Sequence, residues 1–329
     1  MRTKQEEKLE TQYWQLDPRS SILETRSWQL DTSIQHPASS VKQALQEATS
    51  HLCAATDAPR LEAEVLLSQV LDISRTALLA HPETTLTPDQ LSDYQALIRR
   101  RASGYPLPYL TGRVEFYGLE FKVTPEVLIP RPETETLVDL ALARRPATVV
   151  DVGTGSGCIA VSLAVHLLEA VIYAIEISPA ALAVARRNVE RHGVAGRVRL
   201  MVGDVLSPRP GPVDLIVSNP PYIPTGKCAS LPASVRNHEP RLALDGGMDG
   251  LAFVRRLLAQ ASAVLRNPEP ACPERGRRTA GCSGGGLLIE IGAGQGEAAS
   301  HLARTCFPRA TVRVHPDLAG RDRVLEVQT

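Results

Sequence analysis

The sequence predicts an α/β protein in which a small helical bundle precedes an open, mostly parallel sheet. Three observations support this prediction. Between Ser39 and about Ser103 the apolar residues recur at helical spacing. From about residue 148 onward, short apolar runs alternate with helical segments, as in βαβ units. The chain has 329 residues, of which 43% are hydrophobic, so it can bury the cores of two domains.

Four segments follow one another along the chain. Residues 1–38 are polar and lack periodic apolar positions, which predicts a disordered extension, with a partner-docking tail as the alternative. Residues 39–104 are the helical bundle, and residues 105–130 alternate apolar and polar side chains, which predicts a β-hairpin linker. Residues 131–329 are the sheet domain. Its stretch 268–285 is rich in Pro, Gly and Arg and is predicted to be a disordered insertion.

Within the sheet domain, strands are predicted at the start of 148–157, at 171–176, 198–203, 213–218 and 286–291, and in a terminal pair near 311–315 and 323–327. Pro132 lies near the start of the first helix, with acidic residues in its first turn. Further helices are predicted over 158–168, about 250–265 and about 295–306. The spacing of these elements also permits a plain six-stranded sheet.

A glycine-rich turn follows the first strand and consists of Gly153, Thr154, Gly155, Ser156 and Gly157. Glycines let the backbone approach a ligand closely, and the next helix begins there with free N–H groups. A dinucleotide fingerprint would need glycine at position 158, where this chain has Cys158, which weakens a nicotinamide or flavin enzyme. Glu176 ends the second strand, where it can accept hydrogen bonds from a ribose diol, and Asp204 follows the third. Such strand ends are where open α/β sheets bind ligands.

The fourth strand is followed by Asn219, Pro220, Pro221 and Tyr222. Two prolines cannot continue a sheet, so a rigid loop with unpaired carbonyls must begin here. The loop offers the amide of Asn219, carbonyl acceptors around Pro220 and the aromatic ring of Tyr222. These groups suit a flat substrate with N–H donors, such as an amide or an exocyclic amine.

Composition excludes little. The 36 basic and 36 acidic residues balance, so no global charge favours nucleic acid. The six cysteines show no CxxC spacing, which predicts reduced thiols and no metal site. No apolar run approaches the roughly 20 residues of a membrane span, and the charged start lacks a signal sequence. We expect a cytoplasmic protein without membrane contact.

Together these features resemble the HemK/PrmC family of protein-(glutamine-N5) methyltransferases, which are class I S-adenosylmethionine-dependent methyltransferases. The resemblance covers roughly residues 39–329 and includes the segments 116–118, 127–135, 218–223, 238–244, 246–251, 290–292, 317–321 and Gln295. Two departures stand out. Glu176 occupies a position where the family usually has Asp, and 268–285 is an insertion.

The resemblance implies a Rossmann-like, seven-stranded sheet with an antiparallel final hairpin, and a helical domain that helps to hold a protein substrate. It implies methyl transfer from S-adenosyl-L-methionine to the side-chain amide of the glutamine in the Gly-Gly-Gln motif of peptide chain release factors. Asn219 and the carbonyl of Pro220 would each accept one N–H of that amide, beside Pro221 and Tyr222. This would aim the nitrogen at the methyl group and stabilise its developing charge.

For the cofactor, the resemblance implies that Glu176 holds the ribose, Asp204 the adenine amine, and 153–157 the methionine portion, with Asn219 beside them. Arg131 and Glu133 are either cofactor contacts or helix caps. His238 is predicted to shape the loop rather than to accept a proton.

Three alternatives differ in substrate or class. An adenine-N6 or guanine-N2 nucleic-acid methyltransferase would present the same flat amine to Asn219, but it would call for a basic cleft or a target-recognition domain, and the sequence indicates neither. A non-catalytic cofactor-binding module is disfavoured by the glycine turn and Asn219. A nicotinamide oxidoreductase is disfavoured by Cys158 and by the lack of a Tyr/Lys or His pair.

Overall fold

The computed structural model describes residues 39–208, 210–266 and 285–329. The predictions for residues 1–38 and for nearly all of 268–285 therefore lie outside the described residues and stay predictions. Gly285 is the exception, because it is buried and its N–H donates to the carbonyl of Arg266 at 3.0 Å. A backbone hydrogen bond therefore joins Arg266 and Gly285, the residues on either side of the stretch that is not described.

The helical domain contains α1 (Val41–Leu52), α2 (Pro59–Leu71), α3 (Arg75–Ala80) and α4 (Pro88–Ala102). Helix starts follow the sequence signals: Ser74 caps α3, and Thr87 and Gln90 form a capping box at α4. The core of this domain is made of apolar side chains from all four helices and Leu86, such as Leu45, Leu66, Leu78 and Tyr94. These contacts are local in sequence, so the domain has its own core.

The linker is only partly the predicted hairpin. Strands β1 (Arg113–Phe116) and β2 (Leu119–Lys122) pair in antiparallel fashion, but the short helix α5 (Leu107–Thr111) precedes them. Pro106 lies just before this helix, and Gly112 ends it with a φ of 71°. Alternating hydrophobicity over so few residues does not separate a strand from a single helical turn.

The sheet domain begins with a 3₁₀ turn, Pro132–Thr134, and helix α6 (Glu135–Ala143). Its strands are β3 (Thr148–Val152), β4 (Val171–Glu176), β5 (Val198–Val202), β6 (Leu215–Ser218), β7 (Gly286–Glu290), β8 (Thr311–Pro316) and β9 (Asp322–Gln328). Its other helices are α7 (Cys158–His166), α8 (Pro179–Arg191), α9 (Ala233–Arg236), α10 (Ala252–Ala261) and α11 (Gly296–Cys306), with 3₁₀ turns at Thr225–Ser230 and Arg241–Ala243.

The strands form one seven-stranded sheet in the order β5-β4-β3-β6-β7-β9-β8. Strands β3 to β7 are parallel, whereas β9 pairs in antiparallel fashion with both β7 and β8. The seven-stranded sheet with an antiparallel final hairpin is therefore confirmed, and the six-stranded alternative is wrong. Neighbouring strand order reverses at β3, so β3 and β6 lie at the switch point where such sheets bind ligands.

Both faces of the sheet are covered by helices. Val149 of β3 packs with α6, α7 and α8, whereas its neighbour Val150 packs with α10 and α11 on the opposite face. Successive side chains of a strand point to opposite faces, which explains why the central strands are apolar at almost every position. The polar side chains of these central strands lie mainly at the carboxyl ends.

Among the helices of the described ranges, none is long and apolar enough to cross a membrane. Cys53, Cys158, Cys228 and Cys306 are free thiols. The remaining two cysteines, Cys272 and Cys282, lie outside the described residues.

Candidate active site

A cavity of about 570 Å³ lies at the carboxyl ends of the parallel strands. Its wall includes every residue predicted to contact the cofactor except one: Gly153, Thr154, Gly155, Ser156, Glu176, Asp204 and Asn219. Cofactor sites typically have volumes of roughly 300–1,000 Å³. The size of the cavity and its mixture of apolar wall, glycine backbone and a carboxylate fit S-adenosylmethionine.

The exception is Gly157, which is buried at the start of α7 behind the cavity wall. Its φ of 82° lies in the left-handed region that favours glycine. A Cβ added there would lie 3.3 Å from the Cβ of Ala185 in α8. Gly157 therefore allows close helix packing, and its predicted cofactor contact stays a prediction.

Glu176 fixes the shape of the glycine turn. One carboxylate oxygen accepts the N–H of Gly155 at 2.9 Å, and the other accepts the N–H of Ser178 at 3.0 Å. A carboxylate has about four acceptor sites, so two remain for a ligand diol. Glu176 thus both builds the turn and faces the cavity.

Asp204 lies on the cavity wall, but its carboxylate also pairs with the guanidinium of Arg256. Both side chains are about half exposed, and Arg256 is itself part of the wall. The adenine contact predicted for Asp204 would therefore be made by an ion pair rather than by a lone carboxylate.

The loop after β6 is held in place by backbone and side-chain bonds. The N–H of Ile223 donates to the carbonyl of Leu244, and the N–H of Gly246 donates to that of Ile223, at 3.0 and 2.8 Å. Gln295 donates from Nε2 to the carbonyl of Tyr222 at 3.0 Å. A Cβ at Gly250 would lie 2.3 Å from that same carbonyl oxygen, so only glycine fits. The loop is rigid, as the two prolines predicted.

Asn219 lies between two cavities. A smaller cavity of about 190 Å³ adjoins the first, and its wall contains Leu128, Arg131, Asn219, Tyr222, Ile223, Leu231, Val235, Ala243 and Leu244. Asn219 belongs to the walls of both. Among the described residues, no donor is bonded to its Oδ1 or to the carbonyl of Pro220. The Oδ1 of Asn219 is therefore available as an acceptor in the cavities, whereas residue Pro220 is buried and lies on the wall of neither.

Two residues that sequence reasoning did not assign to the site hold Asn219: Thr134, which lies on the wall of the larger cavity, and Glu290. Asn219 donates from Nδ2 to Thr134 Oγ1 at 3.0 Å, and Thr134 donates to Glu290 Oε2 at 2.7 Å. Glu290 ends the apolar strand β7 at the same edge as Glu176 ends β4. That shared pattern was the signal that could have identified it.

The sequence left open the roles of Arg131 and His238, and the structure places these two residues in different surroundings. Arg131 pairs with the buried carboxylate of Glu239 and lies on the wall of the smaller cavity. Glu239 also accepts the N–H of Ile129 at 3.3 Å. The ring of His238 packs against Tyr105 with 4.7 Å between centroids and is not part of either cavity wall.

Two buried carboxyl groups near the site have pKa values that are raised above their ordinary range. Burial raises the pKa of Asp151 to about 7, although Thr154 and the N–H of Ala160 donate to its Oδ2. Its other oxygen, Oδ1, has no hydrogen-bond partner within the part of the chain that the structure describes. Burial likewise raises the pKa of Glu290 to about 7. Both groups are near half-protonation at neutral pH.

These shifts predict how stability depends on pH. Because both folded pKa values lie above the ordinary 3.8 and 4.5, the folded protein keeps two protons that the unfolded chain has released. The free energy of unfolding should therefore fall as pH rises from about 4.5 to 7, with a contribution from each group. Urea unfolding of the cofactor-free protein measures it. In Asp151→Asn the slope should roughly halve, and an unchanged slope would contradict the assignment.

Two family models match the chain, one within the helical domain and linker and one within the sheet domain. The family model of the PrmC N-terminal domain matches residues 43–112, and that of the methyltransferase small domain matches residues 132–235. A release factor glutamine methyltransferase of Moorella thermoacetica is 48% identical over 289 residues, covering 86% of this chain and 96% of that protein. One of Geobacter sulfurreducens is 45% identical over 270 residues, covering 81% and 88%. A solved methyltransferase from Pyrococcus furiosus aligns with a TM-score of 0.47 at 18% identity, covering 72% of this chain and 98% of that one.

Proposed function

Because this chain belongs to the family of release factor glutamine methyltransferases, we propose that it methylates the side-chain amide nitrogen of a glutamine in peptide chain release factors. The glutamine is that of the Gly-Gly-Gln motif, and the methyl donor is S-adenosyl-L-methionine. The donor is bound in the larger cavity by the glycine turn, Glu176 and Asp204.

One observation carries this proposal: Asn219 lies on the walls of two adjoining cavities and presents an unbonded amide oxygen. A transferase that joins a cofactor to a second substrate needs one group at the meeting point of both. In this proposal the larger cavity takes the cofactor, and the smaller one takes the glutamine side chain beside Tyr222.

A carboxamide nitrogen is a weak nucleophile, since its lone pair is delocalised into the carbonyl. S-adenosylmethionine supplies a methyl group that is already activated by its positive sulfur. The protein must therefore contribute mainly position and charge stabilisation. Asn219 Oδ1 and the carbonyl of Pro220 each accept one N–H of the amide, which orients the nitrogen and offsets the positive charge that grows on it. As the N–CH₃ bond forms, the S–CH₃ bond breaks, S-adenosylhomocysteine leaves, and the nitrogen releases one proton to solvent. The ring of Tyr222 lies against the flat amide group.

The surroundings of the cavity also suit a protein substrate. Leu242 is part of the wall of the larger cavity and is 62% exposed, and Met248, one residue after Gly247 of the same wall, is 91% exposed. Large apolar side chains that stay in solvent beside a site favour contact with a protein surface. We propose that the helical domain, residues 39–104, holds the same substrate at a second place.

Mass spectrometry tests the proposal. A release factor is incubated with this protein and methyl-labelled S-adenosylmethionine, and the label is mapped by fragmentation. We expect one methyl group on the glutamine of Gly-Gly-Gln and none on a release factor in which that glutamine is glutamate. Label on another residue, or on DNA or RNA offered in its place, would overturn the proposal.

A further inference from the structure

A chain of hydrogen bonds runs from the Asn219 amide through Thr134, which lies on the wall of the larger cavity, to Glu290. We propose that Thr134 and Glu290 are positioning residues, which fix the Asn219 amide with its nitrogen toward Thr134 and leave its oxygen free as an acceptor. The inference deepens the proposed function and rests on it for its catalytic consequence. The orientation itself can be tested without any substrate.

The argument starts from the hydrogens available. A threonine hydroxyl has one hydrogen to donate, and an ionised carboxylate can only accept. The hydroxyl of Thr134 lies 2.7 Å from Glu290 Oε2 and therefore donates its hydrogen to that oxygen. Toward Asn219, at 3.0 Å, Thr134 can then only accept, so the Asn219 group facing it must be the NH₂. A flipped amide would place two acceptors against each other.

Glu290 is held firmly enough to impose this order. It is 1% exposed, and it ends β7, which pairs with β6 through Ser218 and Ile289, the residues just before Asn219 and Glu290. The groups that face its carboxyl are the hydroxyls of Thr134 and Tyr222, the guanidinium of Arg323 with Nη1 3.9 Å from Oε1, and the carboxyl of Glu133. Arg323 is anchored in turn by Asp317 at 3.2 Å.

Protonation of Glu290 would weaken this order. A protonated carboxyl can donate to Thr134, whose hydrogen is then free to turn toward an Asn219 oxygen. The pKa of Glu290 is raised to about 7 by burial, so this change falls in an accessible pH range. The chain of bonds therefore predicts an amide that is well oriented above neutral pH and less so below it.

The first experiment removes the hydroxyl of Thr134. Thr134→Val keeps the shape of the side chain and should lower the rate of methyl transfer to a release factor by about tenfold, the size expected for one lost hydrogen bond that orients a catalytic group. Thr134→Ser keeps the hydroxyl and should restore most of the rate. Thr148→Val is the matched control, because it removes a Thr hydroxyl 3.0 Å from Asp214 at the other end of β3 and should leave the rate unchanged.

A double-mutant comparison separates positioning from a general loss of structure. In the background of Asn219→Ala there is no amide to orient, so Thr134→Val should add less than about a twofold further loss. If the two losses multiply instead, Thr134 acts independently of Asn219 and the proposal is overturned.

The second experiment needs no activity. The side-chain NH₂ signals of Asn219 are identified in ¹⁵N-edited NMR spectra as those missing in Asn219→Asp. Their exchange with solvent should be slow in the parent and in Thr148→Val, and faster in Thr134→Val. Equal exchange in parent and Thr134→Val would overturn the positioning role even if glutamine methylation is confirmed. Conversely, a parent protein that fails to methylate a release factor refutes the proposed function and leaves this result to decide the orientation.

The pH profile identifies Glu290 as the titrating member. The rate in the parent should fall as pH drops through about 7, and Glu290→Gln should lack this step whatever its absolute rate. A step that persists in Glu290→Gln would remove Glu290 from the chain of bonds and assign the titration to another group, such as Asp151.

Discussion

Replacing Asn219 by alanine should lower the turnover of methyl transfer by about 10²-fold or more, as does removal of a polar group that stabilises developing charge in other enzymes. Its Oδ1 is unbonded among the described residues, and Asn219 lies on the walls of both cavities. Cofactor affinity should fall far less, because the glycine turn and Glu176 remain. Steady-state rates and calorimetry with S-adenosylmethionine measure the two effects separately.

Asn219→Asp sharpens this test. Its carboxylate still accepts an N–H, but it cannot donate to Thr134, whose hydrogen is committed to Glu290. The added charge is also separated from the Glu290 carboxyl only by the hydroxyl of Thr134. We expect a partial defect rather than full activity. Parental rates in Asn219→Ala would show that the loop is structural only and that another group holds the amide.

Replacing Glu176 by alanine should weaken cofactor binding by about 1–3 kcal/mol, the range for lost charge-assisted hydrogen bonds. The carboxylate accepts the N–H groups of Gly155 and Ser178, so its loss also loosens the turn that encloses the ligand. Calorimetry with S-adenosylmethionine measures the change.

The matched variant is Glu176→Asp, which keeps the charge and has the residue that the family usually carries. It should bind the cofactor within a few-fold of the parent, and thermal unfolding shows whether either variant has lost structure instead. Unchanged affinity in Glu176→Ala would remove this carboxylate from the cofactor site.

Much of the sheet domain could be predicted because its strands are buried on both faces. Val149 and Val150 pack on opposite faces, so β3 appears in the sequence as an unbroken apolar run. The order of the strands is a different matter. It depends on crossovers such as the one that places β6 beside β3, and spacing along the chain carries no record of them.

At the site, the sequence predicted the residues at the strand ends. It did not predict which residues they contact. Asp204 was predicted to hold the adenine amine, and its pairing with Arg256, 52 residues further along, was not predicted. Gly157 lies in the right turn but packs against Ala185. Such partners are decided by tertiary packing, which local pattern does not encode.

The separation in sequence of the groups around Asn219 has a consequence for synthesis of the protein. Thr134 lies 85 residues before Asn219 and 156 before Glu290, and β7 is completed only by pairing with β9 near the chain's last residues. The helical domain has local contacts and can fold as soon as it leaves the ribosome. The Asn219 amide cannot be fixed by Thr134 and Glu290 until β7 and β9 have emerged and joined the sheet. A chain that stalls or is cut within its final forty or so residues would therefore keep its helical domain and any capacity of that domain to hold a partner. It would lack a site that could modify that partner.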